Sequence, residues 1–166
     1  MRNLLRRIVG QTGDLEHDEG DETCIYAVGD IHGHADLLSE ICARIDADIR
    51  KFRPARPIQV FLGDYIDRGP DSRDVIAMLD QRRRNRSMVC LLGNHEACLL
   101  EFLVNPDMLA QWRQFGGLHT LMSYGLTPSP NPDAEERRAL AQALVHQMPP
   151  AHLAFLRSLP ICYVHS

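Results

Sequence analysis

The sequence predicts an α/β fold, and three observations carry that expectation. Apolar runs at 24–28, 58–62 and 87–92 have the length and the polar boundaries of buried strands. The stretches after the first two carry helical patterning. Each run leads into a glycine followed by side chains of polar, metal-competent type. Strand and helix alternating at this spacing describe a parallel sheet with helices packed on it.

In chain order, residues 1–22 begin basic and pass into Asp14, Glu16, Asp18, Glu19, Asp21 and Glu22. So little apolar surface cannot offset the entropy of ordering, and a flexible lead-in is expected over 1–22. Residues 23–166 are expected to form one domain portion. After the first strand, Leu37, Leu38, Ile41, Ile45 and Ile49 recur at helical spacing, which predicts an amphipathic helix over about 35–51. Pro54 and Pro57 end it. After the second strand, Asp71 or Ser72 is suited to cap a helix running to about Arg84. The run Arg82-Arg83-Arg84-Asn85-Arg86 falls at its C-terminus, where cations complement the helix dipole, and is expected to be solvated. Beyond Glu96 the pattern is helical over 97–104, 108–115, 118–124, 134–148 and 152–158, a helical cap covering about 97–158. Residues 161–164 are expected to start a further strand.

The 166 residues are 45% apolar and 24% charged, the balance of an ordinary soluble globular protein. A net charge of −4 gives no hint of nucleic acid or an anionic membrane as a partner, and no nucleic acid is expected. No apolar run approaches the ~20 residues that span a bilayer, and the start lacks a signal-peptide core, so no membrane partner is expected. The five cysteines are odd in number and form no C-x-x-C pair. A reducing cytoplasm fits them best, with Cys24 and Cys90 as buried core thiols.

The chemistry is concentrated in three motifs: Gly29-Asp30-Ile31-His32-Gly33, Gly63-Asp64-Tyr65-Ile66-Asp67-Arg68-Gly69 and Gly93-Asn94-His95-Glu96. Their positions place them at the carboxyl ends of neighbouring parallel strands, where α/β sheets put their sites. Carboxylate and imidazole groups converging there suit a hard or borderline cation. Several carboxylates buried together without a cation would be costly. A single Gly-Asp pair is ordinary turn chemistry; three in register are not.

Together the motifs resemble the signature of the calcineurin-like metallophosphoesterases, and within them the phosphoprotein phosphatase branch with its bacterial members. The segment Trp112-Arg-Gln-Phe-Gly-Gly117 with Thr120-Leu-Met-Ser-Tyr-Gly125 is similar to a helical stretch of the bacterial members, with Trp112 itself read as a packing residue. The resemblance implies a metallophosphoesterase-type mixed β-sandwich flanked by helices. It implies Asp30 and His32 as ligands of a first metal, Asp64 as the carboxylate bridging two metals, and Asn94 as a ligand of the second. It implies His95 as the general acid, Asp67 as its orienting partner, and Arg68 as a phosphate clamp. Glu96 is expected to support backbone and neighbouring contacts. Two divalent ions are implied for the complete domain, manganese first, with iron or zinc compatible. The substrates implied are a phosphoserine or phosphothreonine protein or, alternatively, a dinucleoside polyphosphate or other small phosphoester.

The family pattern also uses two histidines and an arginine from its C-terminal half. His165 falls too early after Leu159-Pro160 to match the next ligand. The chain is therefore expected to be C-terminally truncated, with much of the second sheet missing, and to bind one metal well at most. A non-catalytic metal-binding fragment is the alternative outcome.

Overall fold

The computed structural model describes residues 23–165; the acidic lead-in at 1–22 lies outside them. Three parallel strands, β1 (Thr23–Val28), β2 (Arg56–Phe61) and β3 (Met88–Cys90), form a sheet in the order β1-β2-β3. Ile25 sits opposite Ile58, and Val60 opposite Val89. The sequence order equals the spatial order, so all three strand ends, and hence all three motifs, emerge side by side.

Helix α1 (Ala35–Phe52) follows β1, and α2 (Ser72–Arg83) follows β2. After β3 come α3 (Asn94–Val104), a 3₁₀ turn at Pro106–Met108, α4 (Leu109–Gln114), α5 (Gly117–Ser123), α6 (Ala134–Gln147) and α7 (Pro150–Arg157). The core runs between the sheet and these helices. Phe61, Tyr65, Phe102, Trp112 and Phe155 are fully buried in it, and α2 contributes Val75, Ile76 and Leu79.

Four expectations are corrected. In α1 the buried positions are Leu38, Cys42 and Ile45, whereas Leu37 is 57% exposed and Ile41 also faces water. The stripe is narrower than the apolar pattern, because Leu37 and Ile41 lie one ~100° step off the face centred on Leu38 and Cys42. Asp71 precedes α2 without a side-chain cap, and the Ser72 hydroxyl points instead to the Asp67 turn. Arg82 is not solvated. It reaches back to Asp46 at 2.8 and 3.2 Å and to the buried Gln59 at 2.8 Å, tying α2 to α1 and β2. Residues 161–164 form no strand. Leu92 N donates to Pro160 O at 2.8 Å beside the end of β3, but Ile161 and Val164 are then 80% and 82% exposed.

Candidate metal and phosphate site

Each motif begins where a strand ends, and the turns interlock through backbone hydrogen bonds. Asp64 O accepts from Ile31 N and His32 N at 3.0 and 2.9 Å, and Tyr65 O accepts from Gly33 N at 2.8 Å. The buried Glu96 side chain ties the second turn to the third. It accepts from Asp64 N, Tyr65 N, Ile66 N and Gly93 N at 2.8–3.2 Å. Burial pushes its pKa up to about 7, against the pull of those backbone donors. A Cβ at Gly93 would strike Asp64, so the two turns can approach only at glycine.

The turns carry unusual backbone geometry. His32, Asp64, Asp67 and Arg68 have φ of 45°, 55°, 73° and 64°. Left-handed conformations at non-glycine residues cost of order 1–3 kcal/mol each and persist where surrounding structure enforces them. Four of the seven expected site residues are held this way.

The result is a cluster. The ligand-capable atoms of His32, Asp64 and His95 all lie within 4.8 Å of one another. His32 Nδ1 donates to Ile66 O at 3.0 Å, which leaves Nε2 as the bare lone pair. That Nε2 is buried without a hydrogen-bond partner, and Asp30 Oδ2 lies 3.5 Å away. An imidazole anchored through Nδ1–H to a carbonyl, with a bare inward nitrogen, has the posture of a metal ligand. The Asn94 amide, turned nitrogen inward, donates to Asp64 Oδ2 and Oδ1 at 3.2 and 3.3 Å. Turned oxygen inward, it faces the same two acceptors, an arrangement that a cation between them would stabilise. The donor set of carboxylate, amide oxygen and imidazole therefore fits a divalent ion. Asp30 and Asn94 stand on the exposed rim of the cluster.

His95 forms the inner side of the cluster, buried, with its ring edge-on to His32 at 4.6 Å and to Phe115 at 5.9 Å. Nδ1 bonds Asp67 Oδ2 at 2.7 Å, and the Arg68 guanidinium lies 3.5 Å from Nε2. Arg68 is itself exposed, so its fork is free to turn outward to an anion. Asp67 is fully buried. Burial holds its pKa above the usual carboxylate value, while hydrogen bonds from Thr120, His95 and Trp112 pull it down.

Three residues here were not assigned to the site by the sequence. Trp112, expected only to pack, donates from Nε1 to Asp67 Oδ2 at 2.8 Å. Thr120 Oγ1 lies 2.5 Å from Asp67 Oδ1, and Ser72 Oγ accepts from Asp67 N at 3.1 Å. The signal that could have found two of them is Gly116-Gly117. Lying between two helices of the sequence pattern and inside the segment likened to the bacterial members, it brings α4 and α5 onto the Asp67–Arg68 turn. Arg68 N donates to Gly116 O at 3.4 Å, and a Cβ at Gly117 would overlap the Trp112 ring. His165 lies outside the cluster, exposed, with Nδ1 3.4 Å from the Tyr163 hydroxyl.

Strand-end carboxylates, an orphaned imidazole nitrogen and a carboxylate-backed histidine beside an arginine thus stand together at one end of the sheet. The family description of calcineurin-like phosphoesterases matches residues 25–144. The chain belongs to this family. Serine/threonine-protein phosphatase 2 of Escherichia coli K12 is similar to this chain, 37% identical over 93 residues, 56% of this chain and 38% of that protein. The symmetrical bis(5'-nucleosyl)-tetraphosphatase of Pseudomonas putida GB-1 is 36% identical over 84 residues, 51% of this chain and 27% of that protein. The zinc-dependent endopolyphosphatase of Saccharomyces cerevisiae is 32% identical over 97 residues, 58% of this chain and 28% of that protein. The chain thus covers well under half the length of each relative.

Proposed function

We propose that this chain carries the metal-binding and acid-catalytic part of a phosphoester hydrolase of the serine/threonine protein phosphatase type. The observation that carries the reading is the pairing of an orphaned His32 Nε2 with a buried His95–Asp67 dyad across one 4.8 Å cluster. Asp30, His32 and Asp64 would hold one divalent ion, and Asn94 with Asp64 would contribute to a second. Manganese is the ion proposed, with iron and zinc as the competitors. Bound there, divalent ions would neutralise phosphate charge and make water a stronger nucleophile at neutral pH.

The chain's own residues supply the rest. Arg68 turns its fork onto two phosphate oxygens and so orients phosphorus. That movement releases Nε2 of His95, which takes up a proton while Asp67 supports the imidazolium. As the P–O bond to the leaving group breaks, Nε2 gives that proton to the leaving oxygen. A water oxygen forms the new P–O bond and loses a proton to solvent. Acid assistance of this kind contributes roughly 10²–10⁴ in rate.

A phosphoprotein substrate is favoured by the Asp67-Arg68 and Asn94-His95-Glu96 wording. The near-equal identity to the tetraphosphatase keeps dinucleoside polyphosphates as the second reading. A cytoplasmic address is proposed from the absence of any disulfide among Cys24, Cys42, Cys90, Cys98 and Cys162. Among the described residues no helix is long and apolar enough to cross a membrane.

The test compares hydrolysis of a phosphothreonine peptide and of diadenosine tetraphosphate by the manganese-loaded chain, beside His95→Asn and Asp64→Asn. Wild-type turnover of the peptide, lost about 10²-fold or more in His95→Asn with manganese still bound, supports the reading. Asp64→Asn should lose the metal as well. Preference for the dinucleotide moves the assignment to the second reading. Metal binding without hydrolysis of either substrate makes the chain a binding fragment and overturns the reading.

A further inference from the structure

The helical segment after β3 does more than cover the sheet. Trp112 is held in the core against Phe102, with ring centroids 5.2 Å apart, and packing alone would leave its N–H free to point anywhere polar. It points at Asp67 Oδ2, the oxygen that also meets His95 Nδ1. Thr120 covers the other oxygen. Its Oγ1 accepts from Asp67 N at 3.0 Å and stands 2.5 Å from Oδ1, with Ser72 Oγ 3.1 Å away. An indole nitrogen donates only, so one lone pair of Oδ2 is permanently taken.

The two nitrogens of His95 then have different surroundings. Nε2 faces Arg68, whose guanidinium donates only; Nδ1 faces Asp67 Oδ2. The proton therefore belongs on Nδ1, with the Nε2 lone pair turned to the site. Asp67 can enforce that form only while its own oxygens cannot rotate. Trp112 and Thr120 hold them from two different helices, one on each oxygen, so tilting the carboxyl plane breaks at least one of the bonds.

We propose that Trp112 and Thr120 are positioning residues for His95. Acting through Asp67, they fix the imidazole as the Nδ1–H form with Nε2 aimed at the leaving-group oxygen. This rests on the reading of His95 as the general acid. Neither residue touches substrate, so the expected losses are those of supporting groups, about 10-fold each.

The experiment has a spectroscopic arm and a kinetic arm. In the metal-free chain with ¹⁵N-labelled histidine, the wild type should show His95 with Nδ1 protonated and Nε2 bare. Trp112→Phe and Thr120→Val should shift His95 toward a mixture of the two forms, and Thr120→Ser should restore it. In the kinetic arm, with manganese, both variants should lose about 10-fold in kcat on phenyl phosphate, whose leaving group needs a proton, at unchanged KM. On 2,4-dinitrophenyl phosphate, whose leaving group does not, the loss should stay within about 2-fold. Equal loss on both substrates, or an unchanged His95 spectrum in both variants, overturns the proposal. A wild type inactive on both substrates overturns the hydrolase reading instead, and the spectra then decide the positioning role.

Discussion

The two walls of this site are built differently. The rim wall carries Asp30, Arg68 and Asn94, all exposed, with the Asp30 side chain 66% open to solvent. The inner wall carries Asp67, Glu96, Trp112 and Thr120, all fully buried, with multiple hydrogen bonds on each carboxylate. Water and ligand can satisfy the rim groups, so their positions need be fixed only when something binds. The inner groups have no solvent to fall back on, and each unmet partner there costs about 1–3 kcal/mol. Under the proposed function, the site separates binding, on an adaptable rim, from orientation, on a dry wall that also stabilises the fold.

The sharpest way to break that contrast is at Glu96. Its two oxygens serve four backbone N–H groups from two turns. Glu96→Ala should leave several of them unpaired in a buried place and destabilise the chain by about 3 kcal/mol or more. Glu96→Gln should cost less, because one oxygen remains an acceptor. Urea unfolding of both variants measures this. A loss below about 1 kcal/mol in Glu96→Ala would mean that the turns hold without their brace.

A second test uses a largely enclosed contact away from the site. Arg82 bridges Asp46 and the buried Gln59, with side-chain exposures of 14% and 20% for the ion pair. Arg82→Ala leaves the Gln59 carbonyl without its donor and should cost about 1–3 kcal/mol. The neighbouring Arg84, 63% exposed, bonds Asp80, and Arg84→Ala should cost under about 1 kcal/mol. Equal losses by thermal melting would remove burial as the deciding variable.

The same distinction explains what could be read from the sequence. The sheet, the helices and the three strand-end motifs were legible, because strand periodicity and a glycine stop are local signals. Asp30, His32, Asp64, Asn94, His95, Asp67 and Arg68 do converge on one end of the sheet, as expected from their places after the strands. Their neighbours were less legible. Trp112 and Thr120 reach Asp67 across 45 and 53 residues, and nothing local to either distinguishes an indole in the core from an indole in a hydrogen-bond network. The Arg82–Arg86 run looked like a solvated helix end because charge counts do not reveal which arginine turns inward. Residues 161–164 had strand composition, but the Leu92 N to Pro160 O bond lies before them and beyond the end of β3, and a strand needs paired neighbours along its length.

A smaller effect concerns pH. His152 in α7 is buried, and its Nδ1 meets the Tyr124 hydroxyl at 3.0 Å. Burial lowers its pKa below 6.5, helped by Arg73 and opposed by Asp80 and Asp74. A histidine that is harder to protonate folded than unfolded makes the unfolded state bind more protons as pH falls. Its contribution is therefore complete above about pH 6.5 and is lost as pH drops through the lowered folded value. The slope from one such group is at most about 1.4 kcal/mol per pH unit. The stability difference between wild type and His152→Leu should shift in favour of the variant as pH falls from 7.5 to 5.5. A difference independent of pH would mean that His152 titrates as it does in the unfolded chain.

The smallest expected effect on stability is at the rim, and it completes the contrast. Asp30 contributes little packing, and its contact with His32 Nε2 at 3.5 Å is not a hydrogen bond. Asp30→Asn keeps shape and removes charge, so unfolding free energy should change by under about 0.5 kcal/mol. Its manganese affinity should nevertheless fall, because the proposed carboxylate ligand has become a neutral amide and the bare imidazole nitrogen loses an anionic neighbour. Isothermal titration with manganese and urea unfolding on the same preparation separate the two. A rim residue that moves stability as much as Glu96, or leaves metal binding untouched, would erase the division between a wall that binds and a wall that orients.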